Sequence, residues 1–192
     1  MKPSRAWVAL AALMLAGSLL TWPLPAALLD WQPERAFREP WRAFTAAFVH
    51  WSESHLVANV LGAVLLAALG WAARLPTAAA AAWLAAWPLL HLGLLLRPAL
   101  AHYGGLSGVL HAGVAVATLW LVVQARGARR AVGAMVATGL VAKVALERPF
   151  GDLLHTAAGL DIAIAPIAHA TGVIAGFACA AAVLAWQQNP GR

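Results

Sequence analysis

Apolar residues run through this chain in six long, nearly unbroken stretches, about 6–28, 55–73, 77–96, 107–125, 131–147 and 167–186. A hydrocarbon layer takes about 20 helical residues to cross, and somewhat fewer where neighbours shield a helix or the bilayer thins. Each stretch therefore predicts one membrane-spanning helix. Pro23 and Pro25 end the first regular helix near Trp22, since proline lacks the N–H that the next turn needs. The breaks at Arg74-Leu-Pro76, Arg97-Pro98 and Arg126-Gly-Ala-Arg129-Arg130 join charge to helix-breaking residues and predict tight turns at the interface. Two connections are longer, 29–54 and 148–166. The second carries Gly151 and Gly159 and is a candidate lid.

Composition agrees with the pattern. With 62% hydrophobic residues against 10% charged ones, and a mean hydropathy of +0.77, the 192 residues have too little polar surface for a water-soluble domain. The expectation is an all-α membrane protein, a six-transmembrane-helix bundle formed by residues 1–192 as a single domain. A net charge of +6 would suit a nucleic-acid binder, but the basic residues are dispersed among interhelical turns, so membrane topology explains them better and no nucleic acid is expected. With a cytoplasmic amino terminus, Lys2, Arg5, Arg74, Arg126, Arg129, Arg130 and Arg192 lie inside, against Arg35, Arg38, Arg42, Arg97 and Arg148 outside. Both termini are expected in the cytoplasm. A signal-peptide reading of the first stretch, with cleavage near residue 26, is the alternative. Cys179 is alone in an apolar run and is read as packing.

That topology gives three stretches one direction and puts their starts at one level. His55-Leu-Val-Ala-Asn59 opens the second stretch, Gly105-Leu-Ser107-Gly108 the fourth, and Ala168-His169-Ala-Thr-Gly172-Val-Ile-Ala-Gly176 the sixth. Polar groups are costly in hydrocarbon, and a set of them at one depth points to a water-filled functional cavity. A serine hydroxyl becomes a nucleophile when a base takes its proton, and neutral histidine is the usual base. His169 fits that role for Ser107. Gly172 and Gly176 form a G-x-x-x-G stripe that would let helices approach closely, and Gly105 and Gly108 relieve crowding beside the serine. Unpaired N–H groups at the helix start, with His55 and Asn59 four apart on one face, are candidate oxyanion donors.

In this order and spacing the motifs resemble the rhomboid family of intramembrane serine proteases, over essentially the whole chain. Trp41-Arg42-Ala-Phe-Thr45 is similar to the Trp-Arg element of the rhomboid first external loop. The compact length, the string Tyr103-Gly-Gly-Leu-Ser-Gly-Val-Leu-His111 and Lys143-Val-Ala-Leu-Glu147 resemble the rhombosortase branch. The resemblance implies a rhomboid-like six-helix bundle around a water-filled cavity, a Ser-His dyad without a catalytic acid, and no metal or organic cofactor. It implies residence in a bacterial inner membrane and lateral entry of substrate between the second and fifth helices. It also implies single-pass membrane substrates with a carboxy-terminal tail of Gly-Gly, a transmembrane segment and a basic end. A general rhomboid protease with other substrates, or a non-catalytic binder of membrane proteins, are the alternatives.

Some residues stand outside that scheme. His111 lies four residues after Ser107 and is a rival base, since helical side chains lean toward the amino terminus. Lys143 and Glu147 have the spacing of an ion pair near the outer end of the fifth stretch, read as structural pairing ahead of substrate recognition. That stretch, 131–147, has no aromatic ring to pack on His169. His50, Glu53 and His55 are close in sequence, yet the His-Glu-x-x-His of a zinc protease is absent, and no metal ligands are expected.

Overall fold

The computed structural model describes residues 5–156 and 161–188. Lys2, Gly159 and Arg192, which entered the topology and lid expectations, lie outside the described residues. The six apolar stretches become α1 (Arg5–Thr21), α3 (Glu53–Ala72), α4 (Thr77–Gly93, prolonged by a tight turn at Leu94–Leu96), α5 (Ser107–Gln124), α6 (Gly127–Leu146) and α7 (Pro166–Gln188). A single turn, α2 (Arg42–Thr45), lies in the first long connection.

Among the described residues the regular structure is all helical but for one two-stranded antiparallel pair. The hairpin pairs β1 (His155–Thr156) with β2 (Ala163–Ile164) inside the connection read as a lid, and the alternation of so short a segment gave no strand signal. Among the described residues, four helices are long and apolar enough to cross a membrane: Glu53–Ala72, Thr77–Leu96, Ser107–Gln124 and Pro166–Gln188. The other two expected spans fall short of that length or apolarity. Helix α1 is apolar but only 17 residues long, and α6 carries Arg129, Arg130 and Lys143 within its 20 residues.

Helix α5 is the axis of the fold. It packs most extensively on α7, with α6, α4 and α3 around the rest of its surface, and α7 also runs along α4. Large aromatic side chains tie the other side together. Trp7 of α1 and Trp83 of α4 are fully buried with ring centroids 4.6 Å apart. Both indole N–H groups, polar atoms that burial would otherwise leave costly, donate to carbonyls, Trp7 to Leu66 at 2.9 Å and Trp83 to Val109 at 2.8 Å. Helix α1 is therefore built into the core, with Met14 also fully buried.

The connection before α3 is held by a buried charge network. Arg42 donates to the Asp30 carboxylate at 3.2 Å and to the Asp30 and Ala27 carbonyls at 2.7 and 3.1 Å, while its Nε reaches Glu39 at 2.5 Å. The hydrogen bond from Arg42 holds the Glu39 carboxyl below its ordinary range. In the Trp-Arg pair the arginine is thus a strut, while Trp41 stays exposed. The same connection fixes the approach to α5. Trp31 and Tyr103 exchange backbone hydrogen bonds of 2.7 and 3.0 Å, and the Gly105 N–H donates to the Ala46 carbonyl at 2.9 Å.

Candidate active site

Ser107 is the first residue of α5 and His169 lies one turn into α7. Their side chains meet, with His169 Nε2 2.9 Å from Ser107 Oγ. Glycines set that distance. A Cβ on Gly172 would lie 2.2 Å from the Gly108 carbonyl oxygen, and one on Gly176 would lie 2.4 Å from that of Ala112. Backbone therefore rests on backbone, and α7 sits one side-chain layer closer to α5 than any larger residue permits. From the other side, a Cβ on Gly108 would meet the Ala168 carbonyl at 2.9 Å.

The loop that delivers Ser107 requires glycine at its turn. Gly105 has φ +139°, a conformation closed to residues with a Cβ, and the His55 ring fills the space where that Cβ would be, with Nε2 2.9 Å away. Burial pushes the Tyr103 phenol up to about 12, so it stays an uncharged donor to the Gly105 carbonyl at 3.3 Å.

His55 and Asn59 flank the serine from α3. His55 Nδ1 accepts the Trp51 backbone N–H at 3.4 Å, which places the ring proton on Nε2, and Ser52 caps the helix by accepting from the His55 N–H at 3.2 Å. Asn59 is buried, and its Nδ2 has no partner among the described residues. A buried N–H donor without an acceptor is expensive and normally marks a place where something binds. Burial pushes His50, in the turn before α3, down to about 4, so it stands uncharged beside His55 with ring centroids 4.9 Å apart.

Two cavities open on Ser107. One, of about 330 Å³, is lined by His55, His102, Tyr103 and Gly104 and roofed by Leu154 and Ile162–Ala165 of the hairpin connection. The other, of about 380 Å³, is an apolar cleft between Ala58–Leu69 on α3, Leu110 and Val114 on α5 and Leu140 on α6. His55 looks into the first cavity and Asn59 into the second. The roof is latched by Asp161, whose carboxylate accepts from Ser52 at 2.5 Å and from Ser54, and these two hydroxyls hold the Asp161 carboxyl below its ordinary range.

The polar contacts of His111 go elsewhere than to the Ser107 hydroxyl. Its Nδ1 donates to the Ser107 carbonyl at 2.7 Å, its Nε2 accepts from Lys143 Nζ at 2.8 Å, and both nitrogens are thereby committed. Its ring instead stacks on His169, with centroids 4.1 Å apart and planes 12° from parallel. The aromatic partner missing from the fifth stretch is supplied by α5. Lys143 and Glu147 do form an ion pair, at 2.7 Å, but it is not confined to α6: Glu147 Oε2 also lies 2.7 Å from His169 Nδ1. Spacing had shown the pair, and no spacing rule could show its contact with α7. Among the described residues, no three His, Cys, Asp or Glu side chains converge as a metal ion would need.

In comparisons with known proteins, no family profile and no curated protein matches this chain.

Proposed function

We propose that this chain is an intramembrane serine protease of the rhomboid kind, six helices deep in a bacterial inner membrane with both termini in the cytoplasm, and that it cuts single-pass membrane proteins. The observation that carries the reading is the 2.9 Å contact between Ser107 Oγ and His169 Nε2 at the meeting point of three helix starts. In this reading α1 and α6 complete the bundle, α1 because its core is shared with α4, and α6 because its charges lie at its two ends.

The chemistry is acyl transfer. His169 Nε2 takes the Ser107 proton as Oγ attacks the peptide carbonyl carbon. The oxyanion is held by the unpaired N–H groups that begin α5, by Asn59 Nδ2 and by His55 Nε2–H, and His169 then gives its proton to the leaving amine. Water hydrolyses the acyl-enzyme. No cofactor enters these steps.

The two cavities suit a substrate that is helical on one side of the cut and extended on the other. An apolar helix fits the cleft between α3 and α6, and a short run of small residues fits the chamber walled by Trp51, Tyr103 and Leu154. Glycine leaves helical form most cheaply, which favours the Gly-Gly, transmembrane and basic tail suggested by the resemblance to rhombosortase. The test is cleavage in cells of a reporter with that tail, with Ser107→Ala and His169→Ala as controls. Processing that both substitutions abolish supports the whole reading. Cutting confined to other single-pass substrates supports a general rhomboid protease, and no Ser107-dependent cutting of either supports a non-catalytic binder.

A further inference from the structure

The geometry points to Glu147 as a positioning residue for the base, making a Ser107–His169–Glu147 triad in which Lys143 fixes the carboxylate. The inference deepens the proteolytic reading above and rests on it, and it departs from the acid-free dyad that the family resemblance implies.

The argument is one of tautomers. A neutral imidazole has one donor and one acceptor nitrogen, and an ionised carboxylate can only accept. Glu147 Oε2 at 2.7 Å therefore places the proton of His169 on Nδ1 and leaves the Nε2 lone pair facing Ser107 Oγ at 2.9 Å. That is the form a general base needs. The opposite tautomer would be favoured by Lys143, whose Nζ lies 3.4 Å from the same Nδ1. The ammonium is already committed, to Glu147 Oε1 at 2.7 Å and to His111 Nε2 at 2.8 Å, and the shorter charge-assisted contact from the carboxylate decides the outcome.

Surroundings make that contact count. The Glu147 and His169 side chains are only 14% and 7% exposed, so their interaction is screened far less than a surface pair. Lys143, at 47%, donates to Glu147 Oε1 at 2.7 Å while its own head reaches water. Stacking of His111 restrains the imidazole in one plane and Glu147 restrains its rotation within that plane. During attack the Oγ–C bond forms and the Ser107 proton passes to Nε2. The imidazolium keeps its Nδ1 proton against Glu147, whose negative charge offsets the new positive one. Glu147 itself takes no proton, and when the C–N bond breaks the Nε2 proton leaves with the amine.

Glu147→Gln tests this with little change of shape. Lys143 will hold the amide oxygen, which turns the amide N–H toward His169 Nδ1 and forces the proton onto Nε2, where it blocks the base. In full-length protein reconstituted in bilayers and given the Gly-Gly tail reporter, kcat should fall about 10²- to 10⁴-fold while KM stays within about twofold. Glu147→Asp, which keeps an acceptor, should recover at least about tenfold of the loss, and the melting temperatures of the three proteins should agree. Wild-type kcat in Glu147→Gln overturns the inference. So does a loss that Glu147→Asp does not relieve, or one matched by a fall in melting temperature, since either makes Glu147 a strut of α6. Absence of Ser107-dependent turnover of both that reporter and other single-pass substrates in the unaltered protein overturns the protease reading and this inference with it; where only another single-pass substrate is cut, the same variants are compared on that substrate.

Discussion

Helix α5 carries two neighbours in different ways. Against α7 it is glycine on backbone over two turns, Gly172 on Gly108 and Gly176 on Ala112, and twelve residues of α7 are buried. Against α6 only Gly133, Leu140 and Val144 are buried, and of the α6 glycines only Gly133 lies close against α5, toward the end remote from Ser107. Ser107 and His169 are thus set against one another by a joint with no slack. Glu147 arrives on a helix held near the site by Leu140, Val144 and its own polar contacts. A distance that must hold to a fraction of an ångström is fixed by backbone, which cannot change rotamer. A partner that must orient and charge-match the base can come on a looser element, because hydrogen bonds to Lys143 and His169 complete its placement.

The largest effect of breaking that contrast belongs to Gly172→Ala. The new Cβ would sit 2.2 Å from the Gly108 carbonyl oxygen and 3.1 Å from its carbon, so α7 must retreat by about an ångström to restore ordinary contact. Misplacement on that scale costs about 10²-fold in turnover, and overpacking a tight joint costs about 1–3 kcal/mol. Reporter cleavage should therefore fall about a hundredfold or more and the thermal transition should drop. Wild-type activity in Gly172→Ala would mean that the joint does not set the Ser107–His169 distance.

An intermediate effect is expected at His111, on the tight side of α5 but with its outer nitrogen on the loose side. His111→Phe keeps a ring against His169 and loses the links to the Ser107 carbonyl and to Lys143. An aromatic pair is worth about 0.5–1.5 kcal/mol, so His111→Ala should lose up to about tenfold in kcat and His111→Phe clearly less. Were His111 the base, both substitutions would abolish cleavage, and steady-state kinetics of the two separates the roles.

How much of this was legible in the sequence follows the same division. Helix extents, the meeting of Ser107 with His169 and the close seating by Gly172 and Gly176 all follow from apolar run length and small-residue spacing, which are local signals. The level shared by the starts of α3, α5 and α7 followed from alternating direction alone. The stacking of His111 was hidden, because its spacing from Ser107 is the same whether its ring serves the hydroxyl or lies on the neighbouring imidazole. Glu147 had one usable signal, its level: the carboxyl end of the fifth stretch lies beside the amino ends of α5 and α7, and only the lateral arrangement of α6 and α7 turned a pair along one helix into a contact across two. The hairpin at His155–Ile164 gave no warning, since two residues per strand are too few for alternation to register.

The smallest effect sharpens the contrast with the same chemical change on the loose helix. A Cβ on Gly139 of α6 would meet nothing within 4 Å, so Gly139→Ala meets no neighbour and removes only the backbone freedom that glycine brings to a helix interior. The expected outcome is a gain of up to about 1 kcal/mol in stability with turnover unchanged, read by thermal melting and reporter cleavage side by side. Alanine would then be ruinous on α7 and mildly favourable on α6, one methyl group apart in chemistry and a helix apart in place. A fall in turnover without loss of stability would show instead that the open face around Gly139 meets substrate or a second chain during the reaction, and that the looseness of α6 is filled when it works.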